Sequence, residues 1–469
     1  MKRLLVSILC ISMCLSIVSC QTKEAEVPTQ SHVTETALPE CSQEEITNAT
    51  KEELTDSTAE TIPSDTEDKT ATEEIPFSED FYDYDSMADM LAKYGIRFGA
   101  AIDYNTQDDY TKQSLIMQHF NSVTTTNEMK AYSMLDQKAS QQSPDGMPAI
   151  DFTKADKLIE LATSCGAQVR GHVLVWDAHM CNWFFREGYK SNAPYVDRAT
   201  MLKRLESYIT QVITHFEEKY PGVVYCWDVV NEAVGDNATD YDINDERHVR
   251  QKRNNDPNPF YEVIGEDYVE ISFLYAKNVV EALQKENPDV DIKLFYNDYS
   301  TFHVTKRDAI CKLVESINSY ATDANGNYRK LCDGVGMQGY IGGYGTQSGC
   351  MNIDDIQKIT TAIEKYADLG VEVQLTEMAV RNYNNSLANM DMHALFYKIL
   401  MRTLVEVNSG EEKPLTAITI WGLTDMGNID ETSYSYKMNG PYCGLFTPGY
   451  YVKESFYDVY VMLKEKEPE

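Results

Sequence analysis

The sequence predicts a (β/α)8 TIM barrel, and three observations carry that prediction. Eight short apolar runs of strand type follow one another, each trailed by a helix-length segment or a long loop. The runs are continuously apolar rather than alternating, as suits parallel strands buried on both faces. Polar residues collect at their C-terminal ends, which is the end of such a barrel that carries active sites.

In chain order the runs are FGAAI at 98–102, SVTTT at 122–126, QVRGHVLV at 168–175 and VVYCWDVV at 223–230, then KLFYND at 293–298, GVGMQG at 334–339, VEVQLT at 371–376 and AITIWG at 417–422. Helical spacing lies between them, clearest over Met201 to Phe216, Tyr268 to Leu283, Ile353 to Tyr366 and Met390 to Leu404. Strand and helix in alternation build a parallel sheet. The barrel is expected to occupy 85–465, a length that suits a decorated barrel and leaves no second hydrophobic unit. Its seven cysteines, Cys165, Cys181, Cys226, Cys311, Cys332, Cys350 and Cys443, form no CxxC pair, which argues against a zinc site and leaves room for one or two bridges at most.

Two segments precede the barrel. Lys2 and Arg3 are followed by an apolar stretch from Leu4 to Val18, too short for a comfortable membrane span and typical of a secretory signal. The Ile17-Val18-Ser19-Cys20 ending is similar to a bacterial lipobox, so 1–20 is read as a lipoprotein-type signal with Cys20 as the lipidated residue; an ordinary signal peptide cut nearby is the other reading. From 21 to 84 the composition turns to Thr, Glu, Ser and Pro without helical or alternating period, which predicts a disordered acidic linker. Residues 21–83 carry 18 acidic side chains against 3 lysines, close to half of the net charge of −33. That balance argues against nucleic acid and anionic membrane surfaces as partners, and self-repulsion is expected to extend the tether. Contact with a membrane is expected only through the lipid anchor, at the extracellular face of a bacterial cell, or not at all if the protein is secreted.

The chemistry is expected from two glutamates. WDVVNEAV at 227–234 and VQLTEMAV at 373–380 each place a carboxylate, Glu232 or Glu377, at the end of an apolar run. An ionised Glu is costly to desolvate unless it is partnered or titrates. Either could cap a strand or pair with an arginine; two at strand ends of one barrel, with Asn231 beside the first, point instead to glycoside chemistry.

The segment from about Met87 to Met462 resembles glycoside hydrolase family 10, the retaining endo-β-1,4-xylanases. The resemblance rests on FNSVTTTNEMK at 120–130, VRGHVLVW at 169–176, WDVVNEAV at 227–234, FYNDY at 295–299, DGVGMQG at 333–339, LTEM at 375–378 and ITIWGLTD at 418–425, all in order. It implies that Glu232 is the general acid/base and Glu377 the nucleophile, with Glu232 raised in pKa and Glu377 ionised. It further implies that Asn231 holds the sugar 2-hydroxyl, that His172 and Trp176 wall the cleaved sugar, and that Asn127 and Lys130 bind the next one. Gln338 joins the carboxylate network and Trp421 stacks under a ring. No cofactor and no metal are implied. Read without the family, His172 could be a satisfied barrel histidine, and Trp176, Trp227 and Trp421 core fillers, the better reading for Trp227. Asn297 and Asp298 look like a hydrogen-bonded rim.

Departures from the family pattern are as informative. Tyr340 stands where a His is usual and Ala379 where an Asp is usual, two positions that look coupled. Tyr340 is therefore expected to donate a hydrogen bond to Glu377 without needing a carboxylate to set a tautomer. Thr126, Ala131, Asp177, His179 and Ile429 replace a Glu, a Trp, a His, a Gln and a Trp. Residues 235–258 form an insert that could shape the cleft, and Tyr434 and Tyr436 could supply the missing stacking. The expected function is a retaining endo-β-1,4-xylanase, with a β-glucanase, a hydrolase for decorated xylo-oligosaccharides and a non-catalytic glycan-binding lipoprotein as rivals.

Overall fold

In the computed structural model, which describes residues 79–342, 351–426 and 440–466, eight parallel strands close into a ring. They are β1 (Arg97–Ile102), β2 (Ser122–Thr125), β3 (Gln168–Gly171), β4 (Val224–Asn231), β5 (Lys293–Asp298), β6 (Gly334–Met337), β7 (Glu372–Val380) and β8 (Leu415–Ile420). Each strand pairs with the next, and β8 returns to β1 with Arg97 beside Ala417. Closure leaves none of these eight strands at a sheet edge.

Around the ring lie α1 (Tyr110–His119), α2 (Thr153–Ser164), α3 (Arg198–Lys219), α4 (Tyr268–Glu286), α5 (Val304–Ser319), α6 (Ile353–Ala367), α7 (Leu387–Val407) and α8 (Glu454–Glu465). In α3 the apolar spacing turns Met201, Leu205, Tyr208, Ile209, Val212, Ile213 and Phe216 inward. Asp197 starts that helix by accepting from the Thr200 amide at 2.7 Å, a cap of about 1 kcal/mol. Trp227 is fully buried against Phe216, the core role expected of it.

The barrel interior is partly ionic. Arg170 on β3 is wholly buried; its guanidinium donates to Asp228 on β4 and, at 2.6 Å, to Gln374 on β7. Burial pushes Asp228 up, but Arg170 and His172 outweigh it and hold its carboxyl below the ordinary range. Asp228 in turn meets His172 Nδ1 at 2.9 Å, so the floor of the barrel orients an imidazole at its mouth.

All eight expected strands form, with shifted ends. β3 stops at Gly171, and the run resumes only as a single bridge from Val175 to Val230. β7 runs four residues past Thr376, because a short strand at Tyr340–Ile341 pairs with Ala379 and Val380. Packed structure also begins before 85. Phe81–Asp83 form a turn of 3-10 helix, Phe81 and Tyr84 are buried, and Tyr84 packs edge-on against Phe456 and Tyr460. Two aromatic residues inside a Thr/Glu-rich stretch carry that difference. The leader, Cys20 and most of the linker lie outside the described residues, as do Cys350, Ile429, Tyr434 and Tyr436. Cys165, Cys226, Cys311, Cys332 and Cys443 are free thiols.

Candidate active site

The strand ends bring the expected residues together over the mouth of the barrel. Asn231 closes β4, and Glu232 follows with a φ of 56°, a left-handed conformation uncommon for a residue with a side chain. Its amide donates to the Asn297 carbonyl at 2.9 Å, which fixes that turn. Glu377 sits within β7, its amide donating to the Gln338 carbonyl at 2.8 Å. Both carboxylates are more than nine-tenths buried.

An amide network links them. Gln338 Nε2 donates to Glu232 Oε1 at 2.9 Å and lies 3.4 Å from Asn231 Oδ1. Asn297 Nδ2 donates to Asn231 Oδ1 at 2.9 Å and to Glu377 Oε1 at 3.3 Å. With its oxygen accepting from both neighbours, the Asn231 amide is turned so that its buried Nδ2 donor finds no partner among the described residues. Tyr340 donates its hydroxyl to Glu377 Oε2, and Tyr340 and Ala379 are register partners across the short strand pair. The two departures from the family pattern therefore stand side by side.

Burial pushes the Glu377 carboxyl above its ordinary range. His172, the Tyr340 hydroxyl and Lys130 oppose that rise, while the Glu232 charge adds to it. Burial thus works against the ionised form expected of Glu377, and the neighbouring cation and donors work for it. Lys130 is itself lowered by burial.

The remaining residues form one wall. Lys130 Nζ donates to Asn127 Oδ1 at 3.2 Å and lies 5.1 Å over the Trp176 ring. Trp176 meets His172 edge-on at 5.9 Å, and His172 meets Trp421 at 6.4 Å. Trp176 and Trp421 are half-buried, as rings that offer a face to a sugar must be, while Trp176 Nε1 has no acceptor among the described residues. His172 is satisfied through Asp228, as a barrel histidine would be, and its ring also faces Trp176 and Trp421.

Three site residues were missed or misjudged from sequence. Asn297, read as rim, touches Glu377 and Asn231 directly. Asp298 does belong to the rim, paired with Lys306 at 2.8 Å and accepting from Tyr296 at 2.5 Å. Arg253, in the 235–258 insert, was not singled out, yet its Nη1 donates to Glu232 Oε2 at 3.0 Å. Asp177, noted only as a departure, holds that arginine. No local pattern marks a loop arginine as facing a carboxylate 21 residues earlier.

The family model for Glycosyl hydrolase family 10 matches residues 86–460. A putative endo-1,4-beta-xylanase of Caldicellulosiruptor saccharolyticus is 34% identical over 303 residues, covering 63% of this chain and 86% of that protein. Endo-1,4-beta-xylanase B of Butyrivibrio fibrisolvens is 32% identical over 352 residues, 73% of this chain, although the match spans only 49% of that longer protein. Among solved structures, the CBM22-1–GH10 modules of the Clostridium thermocellum endo-1,4-beta-D-xylanase 10B, complexed with xylohexaose, superpose with a TM-score of 0.67 at 28% identity. That match covers 81% of this chain and 68% of the other.

Proposed function

The chain belongs to glycosyl hydrolase family 10, and from that premise we propose that it is a retaining endo-β-1,4-xylanase with Glu377 as nucleophile and Glu232 as acid/base. The observation that carries the reading is the shared network: two buried carboxylates, at the end of β4 and within β7, are tied through Gln338 and Asn297 to Asn231, whose Nδ2 has no partner among the described residues. A binding module has no use for a second desolvated carboxylate.

In the first step Glu377 attacks the anomeric carbon while Glu232 gives its proton to the departing glycosidic oxygen, leaving a covalent glycosyl-enzyme. In the second, Glu232 takes a proton from water, which attacks the same carbon and releases Glu377 with net retention. Glu377 must be ionised to attack; His172, Tyr340 and Lys130 favour that form against its burial. Asn231 Nδ2 is placed to donate to the sugar 2-hydroxyl, a contact that strengthens as positive charge develops on the ring. Trp176 and Trp421 supply aromatic faces, and Lys130 and Asn127 polar contacts, for the sugars on the non-reducing side.

Two variants test the roles. Glu377→Ala should abolish turnover on every substrate. Glu232→Ala should lose about 10²–10⁴-fold on xylan, yet retain the first step on aryl xylobiosides whose leaving groups need no proton, and azide should restore turnover with a β-glycosyl azide as product. Equal loss in both variants on the activated substrate contradicts the assignment. Reducing-sugar release from xylan, arabinoxylan and mixed-linkage glucan ranks the substrate. The lipobox-like ending at Cys20 supports anchoring at the extracellular face of a bacterial cell.

A further inference from the structure

The insert between β4 and α4 carries a small hairpin, Lys252–Arg253 against Asp256–Pro257. Its turn is Asn254-Asn255, with φ of 51° and 69°, the two positive angles that a tight hairpin requires and that Asn tolerates. The hairpin is tied down at its base: buried Asn258 donates Nδ2 to the Arg250 carbonyl at 2.9 Å and its amide to Gln251 at 2.8 Å. Arg250, buried beneath, donates to the Glu232 carbonyl at 3.1 Å and the Val234 carbonyl at 2.8 Å. A firmly seated support therefore presents Arg253 to the cleft.

All three nitrogens of the Arg253 guanidinium donate. Nε and Nη2 grip Asp177 at 2.9 and 2.8 Å, Nη2 also reaches the Glu232 carbonyl at 3.1 Å, and Nη1 meets Glu232 Oε2 at 3.0 Å. Asp177, with its side chain 5% exposed, has the fork geometry that a planar guanidinium matches. Glu232 is consequently held at both oxygens, Oε1 by Gln338 and Oε2 by Arg253. Each oxygen keeps a second lone-pair direction for the proton it must carry.

We propose that Arg253, clamped by Asp177, is a positioning residue that fixes the carboxylate plane of Glu232 for proton transfer to the leaving oxygen. The proposal rests on the reading of Glu232 as acid/base. Asp177 stands where the family usually has a His, and it meets the hairpin arginine directly.

The test separates positioning from folding through the leaving group. For aryl β-xylobiosides, kcat/KM reports the first step, and an activated dinitrophenyl leaving group needs no proton whereas a poor leaving group does. Arg253→Met should lower kcat/KM on the poor leaving group about ten- to a hundredfold and leave it unchanged on the activated one. Arg253→Lys, which offers a point charge without the fork, should give a smaller split of the same kind and serves if the Met variant does not fold. Combining Arg253→Met with Asp177→Asn should be no worse than Arg253→Met alone, since Asp177 acts only through the arginine. Equal loss on both substrates assigns Arg253 to fold support alone; no loss on either makes it a bystander; additive losses uncouple the pair. Each of these overturns the proposal. If Glu232→Ala itself shows no leaving-group split, the reading of Glu232 fails, and the role of Arg253 with it.

Discussion

At the scale of single residues, Tyr340 offers the sharpest test. Its hydroxyl donates to a carboxylate that burial pushes upward, and this contact is one of those holding Glu377 down. Tyr340→Phe keeps the ring and removes the donor. A hydrogen bond to a charged group contributes about 1.5–3 kcal/mol, so kcat/KM should fall roughly ten- to a hundredfold. The sign of the pH effect is fixed: activity needs ionised Glu377, loss of the donor raises its pKa further, and the acid limb of the pH profile should move to higher pH. Tyr340→His alone should recover little, whereas adding Ala379→Asp beside it should recover more than the single changes predict, because the carboxylate orients the imidazole. Full activity and an unmoved acid limb in Tyr340→Phe would leave Tyr340 as a cleft wall. This pair was legible in the sequence because it departs from a motif at fixed spacing. Arg253 was not, because its partners Glu232 and Asp177 are 21 and 76 residues away and meet only through the folded hairpin.

At the scale of elements, the continuous apolar runs located all eight strands, since a strand buried on both faces leaves that signature wherever it occurs. Their ends were less legible. β7 continues through Glu377 to Val380, a stretch that a pattern reader closes at the charge, because cross-strand pairing with Tyr340–Ile341 outweighs the cost of the carboxylate. Packing between β3 and β4 makes its own prediction. A Cβ on Gly171 would stand 2.5 Å from the Trp227 ring, and both residues are buried. Gly171→Ala should destabilise the barrel by about 1–3 kcal/mol through overpacking, read as a lowered thermal midpoint. Trp227→Phe in the same background should recover part of the loss. A midpoint equal to that of the unsubstituted protein contradicts this account of the contact.

At the scale of the whole molecule, the N-terminal stretch carries two separate tests, one at each end. If Cys20 carries lipid, the protein should partition into detergent and Cys20→Ser should release it to the medium. A wild-type protein found wholly in the aqueous phase refutes the anchor. At the other end of that stretch, residues 79–84 clasp the barrel: the Glu79 carbonyl accepts from Val452 at 3.0 Å, the Phe81 carbonyl lies 2.9 Å from His119 Nε2, and Tyr84 packs on α8. Those contacts sew the first helix of the barrel to the last. Removing the Phe81 and Tyr84 side chains from that seam would expose apolar surface worth about 3–6 kcal/mol, so a chain started at residue 85 should melt measurably below one started at residue 79. For anyone grafting this catalyst onto another scaffold, the transplantable cassette therefore opens at Glu79, and an acidic residue in a low-complexity tract becomes the place to splice.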